Sequence, residues 1–278
     1  MCITPLIIQQ KEYARSVPVP CGRCPECYTR KVSAWSFRLM QQEKISDNAL
    51  FITLTYDTKH VLLSRNGYLS LCKRDIQLFF KRLRKAHEKR KAEDIRYKDW
   101  QAIRYYVVGE YGGKTKRPHY HAIIFNVIIE LIQPSWNLGH VHYGEVTGAS
   151  VGYTLKYMSK ISQIPMHQND DRIPEFALMS KGLGANYLTP QMIKWHRSDL
   201  LNRMYVNLTD NKKASMPRYY KTKIYDEIEL MCINDYQAHK REKEAQIHGQ
   251  IISARDLSEA HKAAFAKMRT NHFKNQKL

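Results

Sequence analysis

The apolar pattern changes period several times between residues 51 and 161, and each change predicts an element. Phe51-Ile52-Thr53-Leu54-Thr55-Tyr56 is a run of β-branched and aromatic residues and predicts a strand. From a candidate cap at Ser70 to about Lys91, apolar residues return as Ile76, Phe79, Phe80 and Leu83. That i, i+3, i+4, i+7 spacing is the stripe of an amphipathic helix. Its other faces carry Lys73, Arg74, Lys81, Arg82, Arg84, Lys85, Lys89 and Arg90, which form either a solvated face or a phosphate-tracking surface. Ile103 to Glu110 predicts a second strand and Tyr111 to Lys116 its turn, with Pro118 to Asn126 as the returning strand. The glycine-rich connection makes an antiparallel hairpin the simplest assembly. Gly139 to Val146 predicts a further strand, and about Gly148 to Ile161 a helix.

Strands interleaved with helices around a tight hairpin predict an α+β fold, an antiparallel central sheet with helices packed on it. Beyond it, Pro165 to Pro174 reads as an exposed loop. Tyr187 to Leu200 reads as a helix after a turn containing Gly182 and Gly184. From Lys223 the chain is charged and helix-prone. The expected division is a cysteine-containing segment over 1–48 packed on a core at 49–165, an extension over 166–222, and a helical C-terminal arm over 223–278.

Charge narrows the function. Across 278 residues, 45 Lys and Arg face 26 Asp and Glu, a net charge of +19. Such an excess points to a polyanionic partner, because neutralising phosphates releases counterions. Single-stranded or other nucleic acid fits better than a membrane surface. The longest apolar run, Ala122 to Ile132, is short and broken by Asn126 and Glu130, so no bilayer span is expected. Met1 to Gln10 lacks the basic start and cleavage site of a secretory signal, which predicts a cytoplasmic protein. In that compartment the six cysteines are thiols or metal ligands rather than disulfides.

The chemistry concentrates in two motifs. In Arg117-Pro118-His119-Tyr120-His121, strand alternation points His119 and His121 to one face and Tyr120 to the other. Two imidazoles suit a divalent metal, and Glu110 at the end of the preceding strand is the candidate third ligand. A carboxylate tilts the set toward Mg²⁺ or Mn²⁺. His140 and His142 repeat the spacing and are a rival pair. The second motif is Tyr153-Thr154-Leu155-Lys156-Tyr157. On a helix the two tyrosines lie about 40° apart. Each has a lysine three residues on, Lys156 and Lys160, and a cation favours the phenolate or neutralises the phosphate it attacks. Cys21, Cys24 and Cys27 form C-x-x-C-x-x-C, to which Cys2 adds a fourth sulfur. They read either as structural Zn²⁺ ligands or as small buried residues and free thiols. Tyr105 and Trp136 are candidate base-stacking aromatics.

Together these motifs resemble the HUH superfamily of rolling-circle replication endonucleases, named for a His-hydrophobe-His strand, with Tyr120 in the hydrophobe position. The resemblance covers roughly Phe51 to Lys160. It extends to initiators of gokushovirus-like microviruses, small single-stranded DNA phages. The residues that carry it are Met1-Cys2, Pro20 to Cys24, Trp35 with Arg38, Gly109 to Gly112, Arg117 to Phe125, Tyr153 to Lys160 and Met216 to Tyr220. It implies an RRM-like core and a site-specific nick in single-stranded origin DNA. In that reaction a tyrosine attacks phosphorus, stays linked to the 5′ phosphate and frees a 3′ hydroxyl primer. Tyr153 and Tyr157 are both eligible, in either order.

The resemblance also implies a host helicase and DNA polymerase as partners, in the cytoplasm of a bacterial host. The chain carries no G-x-x-x-x-G-K-S/T phosphate loop of its own. Two other readings stay open. One is a non-catalytic, zinc-containing nucleic-acid-binding regulator, which leaves the tyrosine–lysine spacing unexplained. The other is a relaxase or transposase of the same superfamily.

Overall fold

The structure, a computed structural model, describes residues 2–10, 15–146, 155, 164–208 and 212–247, with isolated positions 259, 262, 263 and 266. In chain order the elements begin with strands β1 (Leu6–Gln10) and β2 (Arg15–Val19), helix α1 (Pro25–Glu43) and strand β3 (Ala49–Thr55). Next come the two-residue strands β4 (Leu62–Leu63) and β5 (Leu69–Ser70), helix α2 (Lys73–Glu93), and strands β6 (Arg104–Tyr111) and β7 (Pro118–Phe125). The short helix α3 (Ile132–Ser135), strands β8 (Val141–Glu145) and β9 (Phe176–Met179), and helix α4 (Pro190–Arg197) follow. Strands β10 (Tyr205–Asn207) and β11 (Lys213–Ser215) and helices α5 (Arg218–Ile224) and α6 (Glu227–Ile247) complete them. Two compact units result, Arg38–Asn186 and the combination of Met1–Phe37 with Tyr187–Leu278.

The first unit is built on a five-stranded sheet of order β8-β3-β7-β6-β9, every neighbour antiparallel. This is the expected α+β architecture, and the β6–β7 hairpin is its centre. One face carries Ile52, Leu54, Val107, Tyr120, Ala122 and Ile124, all buried in one core with Ile76, Phe79, Phe80 and Leu83 of α2. The predicted stripe is therefore the packed face of that helix. Removing any one of these side chains from water contributes roughly 2 kcal/mol. Trp136, just after α3, fills the same core beside Phe79 and Tyr120.

Two local expectations are corrected. Ser70 does not cap α2: it is buried on β5, where its hydroxyl accepts from the Ile173 N–H. The helix starts at Lys73 with Cys72 as N-cap, and the Cys72 N–H goes to the Tyr120 hydroxyl instead. The segment from Pro165 to Pro174 is irregular but not simply exposed. Asp170 and Arg172 are buried in it as an ion pair at 2.7 Å, and Tyr111 donates its hydroxyl to the Ile173 carbonyl. The Arg172 guanidinium holds the Asp170 carboxyl well below the ordinary carboxylate range.

In the other unit, Phe37, Val206, Met216, Tyr220, Ile224, Tyr225 and Ile233 form a separate core. Helix α4 is shorter than the expected Tyr187 to Leu200, because Pro190 starts it after a Thr189 cap. The expected helix beyond Lys223 is present as α6. Antiparallel pairs β1–β2 and β10–β11 complete this unit.

Candidate metal centres

The hairpin register decides which side chains meet. Glu110 pairs across from His119, and Val108 from His121. On the other side of β7, Thr55 lies opposite His119 and Thr53 opposite His121. Directly opposed residues share a face. Glu110, His119, His121, Thr53 and Thr55 therefore stand together on the sheet face opposite α2. One ligand atom from each of Glu110, His119 and His121 lies within 4.8 Å of the others. The His119 Nε2 to Glu110 Oε1 distance is 3.7 Å, longer than a hydrogen bond. Glu110 and His121 are buried and His119 is half-buried.

The surroundings fix both rings. His119 Nδ1 lies 3.2 Å from the Arg117 carbonyl, which can only accept, so Nδ1 carries the proton and Nε2 the lone pair. His121 Nδ1 meets the Thr53 hydroxyl at 2.9 Å, and its ring stacks on Phe51 at 5.7 Å. Arg117 is in turn held where the hairpin turns, donating to the Tyr56 carbonyl at 2.7 Å. Such partners orient a ligand ring before any ion arrives. Two imidazole nitrogens and one carboxylate oxygen fit a divalent cation and leave coordination positions for an incoming oxygen ligand.

Tyr120, between the histidines, anchors the strand from behind. It is fully buried, and its hydroxyl both accepts from the Cys72 N–H and donates to the Cys72 carbonyl. The hydroxyl of Tyr56 lies 2.8 Å from it and donates to Asp75. Burial pushes the Tyr120 phenol well above its ordinary range. Gly109, opposite Tyr120, has no room for a methyl group: an added Cβ would lie 3.0 Å from Leu71 and 3.2 Å from the Tyr120 ring.

The rival histidines do not join this cluster. His140 Nε2 lies 3.4 Å from Asp57, and His142 is exposed on β8 opposite Thr53. Tyr153, Lys156, Tyr157 and Lys160 lie outside the described residues. Leu155, between them, is helical and buried. Trp136 is wholly buried, so it cannot stack on a base, and its indole N–H donates to the Thr55 carbonyl. Tyr105 stacks on Phe80 at 3.6 Å with Arg84 over its ring. The cationic surface of α2 belongs to the helix on the opposite sheet face. Within it, Arg82 donates to the Ser135 carbonyl.

A second cluster unites Cys2, Cys21, Cys24 and Cys27, whose sulfurs all lie within 4.8 Å of one another. Cys24 and Cys27 are buried, Cys2 and Cys21 half-buried. Burial raises the Cys21 thiol, but hydrogen bonds from Thr4 and from the Arg23 and Cys24 N–H groups outweigh it, leaving about 6. Cys27 goes the other way, pushed by burial to about 12. The difference follows the donors, which converge on Cys21.

Residues 49–162 match the family model of the phage Replication-associated protein ORF2. The chain is 27% identical over 273 residues to Replication-associated protein ORF2 of Spiroplasma virus 4, covering 90% of this chain and 82% of that protein. It is 29% identical over 230 residues to Replication-associated protein VP4 of Bdellovibrio phage phiMH2K, covering 76% and 68%. Replication-associated protein ORF4 of Chlamydia phage 1 is 23% identical over 231 residues, and the match spans 53% of its length. No solved structure matches. The chain is thus related to replication-associated proteins of single-stranded DNA phages. The matched span contains the whole β6–β7 hairpin and the Tyr153 to Lys160 segment. Among the described residues, no helix is long and apolar enough to cross a membrane.

Proposed function

We propose that this chain is a metal-dependent endonuclease and strand transferase of the HUH type. In this reading it starts rolling-circle replication by nicking single-stranded origin DNA. The observation that carries the proposal is the convergence of Glu110, His119 and His121 on one sheet face in a chain related to replication-associated proteins. The same motifs support the narrower assignment to initiators of gokushovirus-like microviruses. A host helicase and polymerase in the bacterial cytoplasm would then extend the primer.

The donor set suits Mg²⁺ or Mn²⁺, which supplies Lewis-acid polarisation of a phosphoryl oxygen when bound. The protein's own part is positioning and proton handling. His119 and His121 present lone pairs in orientations set by the Arg117 carbonyl and the Thr53 hydroxyl. Tyr153 or Tyr157 supplies the phenolate oxygen. That oxygen forms the new bond to phosphorus, the bond to the 3′ oxygen breaks, and the departing 3′ oxygen takes up a proton. Lys156 and Lys160 offset the charge of the phenolate and of the phosphate under attack. The 5′-phosphotyrosyl bond conserves the energy of the phosphodiester, so a later 3′ hydroxyl can reverse the step and ligate the strand.

The test is a nicking assay on single-stranded origin oligonucleotides with Mn²⁺. A covalent adduct that disappears in the Tyr153→Phe, Tyr157→Phe double variant supports the proposal. Retention of the adduct in that variant overturns it.

A further inference from the structure

We propose that Cys2, Cys21, Cys24 and Cys27 bind one structural zinc ion that staples the open end of the β1–β2 hairpin. The site is independent of the nicking reaction, since none of these residues lies in the sheet unit.

Placement comes first. Cys2 precedes β1, and Cys21 follows β2. Cys24 and Cys27 lie just before and within the first turn of α1, where the Cys24 carbonyl accepts the Tyr28 N–H. One ion would therefore tie both ends of the hairpin to the start of a 19-residue helix. The hairpin needs such a tie. A two-stranded ribbon is marginal in water. This one leaves Leu6, Ile7 and Ile8 about half or more exposed, so it gains little from its own apolar side chains.

The hydrogen bonds point to thiolates rather than to four small buried residues. The Arg23 and Cys24 N–H groups both reach Cys21 Sγ at 3.4 Å, and the Thr4 hydroxyl reaches it at 3.3 Å. The Cys21 N–H donates to Cys2 Sγ at 3.2 Å, and the Ile3 N–H to Cys24 Sγ at 3.4 Å. Gly22 has φ +74°, the left-handed conformation that turns two successive N–H groups onto one sulfur. A neutral thiol is a weak acceptor and gains little from such an arrangement, whereas a thiolate is stabilised by it. Four thiolates around a divalent ion leave a net charge of −2. These donors and the positive end of α1 offset it.

Four soft sulfur donors select zinc or iron over Mg²⁺ or Mn²⁺, and a complete sulfur set leaves no position for substrate. The site is closed and structural. Its binding energy is spent on folding the N-terminal segment.

The test is metal analysis of full-length protein purified without added metal, by inductively coupled plasma mass spectrometry. About one zinc per chain is expected, as a closed four-sulfur site requires. Glu110→Gln and His119→Ala should retain it. Cys24→Ser should lose it, with Cys232→Ser as the control that keeps it. Cobalt replacement should give the visible spectrum of tetrahedral thiolate coordination, a readout that needs no variant to fold. Substoichiometric zinc, iron in its place, or a disulfide among the four cysteines by alkylation mass mapping would overturn the proposal.

Discussion

The histidine cluster and the cysteine cluster are built from opposite materials. The first takes three mixed nitrogen and oxygen ligands from two central strands of a five-stranded sheet, braced from behind by α2. The second takes four sulfurs from turns and chain ends around a thin hairpin and a helix start. In one, a rigid scaffold holds an incomplete ligand set, and positions remain for a reacting phosphate. In the other, a complete ligand set supports a weak scaffold. A cluster's role thus follows from which partner supplies the order, the protein or the ion.

The largest expected effect tests the reactive side. His119→Ala, His121→Ala and Glu110→Gln should each lower the rate of covalent adduct formation about a thousandfold, matching the several kcal/mol a Lewis acid supplies. Zinc content should stay unchanged. Equal loss of both would merge the two clusters into one system.

Scaffold rigidity comes next. Asp170→Asn leaves buried Arg172 without its carboxylate, beside the Tyr111 ring that follows Glu110 in β6. Breaking such a pair should cost about 3 kcal/mol in a denaturant titration. In the native protein the Asp170 carboxyl is held low by Arg172. Its contribution is therefore fully present above the unfolded carboxylate range, and is lost as the pH falls below about 4 and through the folded value. A stability profile flat through that range would contradict the assignment.

A smaller effect isolates the orientation of one ligand. Thr53→Val removes the hydroxyl on His121 Nδ1 and should raise the Mn²⁺ concentration needed for half-maximal nicking about tenfold. Saturating metal should restore the rate. The smallest effect tests the back of the sheet. Tyr120→Phe deletes the hydroxyl that takes the Cys72 N–H, at a cost of about 1 kcal/mol of stability. The Mn²⁺ requirement should not move, because Tyr120 faces away from the ligands.

Both clusters were legible in the sequence to different depths. Period-two alternation placed His119 and His121 on one face, and the short glycine-rich turn brought Glu110 alongside. Both readings use only local geometry. The Ile76 stripe was equally plain. The hydroxyl of Thr53 and the carbonyl of Arg117 were not, since they depend on the β3–β7 register and on a hairpin twist that composition does not encode. Trp136 misled because an aromatic looks alike whether it faces a base or a core. The Pro165 to Pro174 segment misled because a buried Asp170–Arg172 pair is spelled with the same polar residues as a solvated loop. Strand β9 was missed: four residues following a proline carry too short a pattern, and it is the pairing with β6 that makes them a strand.

The most direct measurement is peptide mapping of the protein after incubation with a single-stranded origin oligonucleotide and Mn²⁺. The expected result is a DNA-linked peptide modified at Tyr153 or Tyr157, a free 3′ hydroxyl on the released strand, and no adduct after chelation or in His121→Ala. An adduct on any other residue, or one that forms without divalent metal, would contradict the metal-dependent tyrosine mechanism.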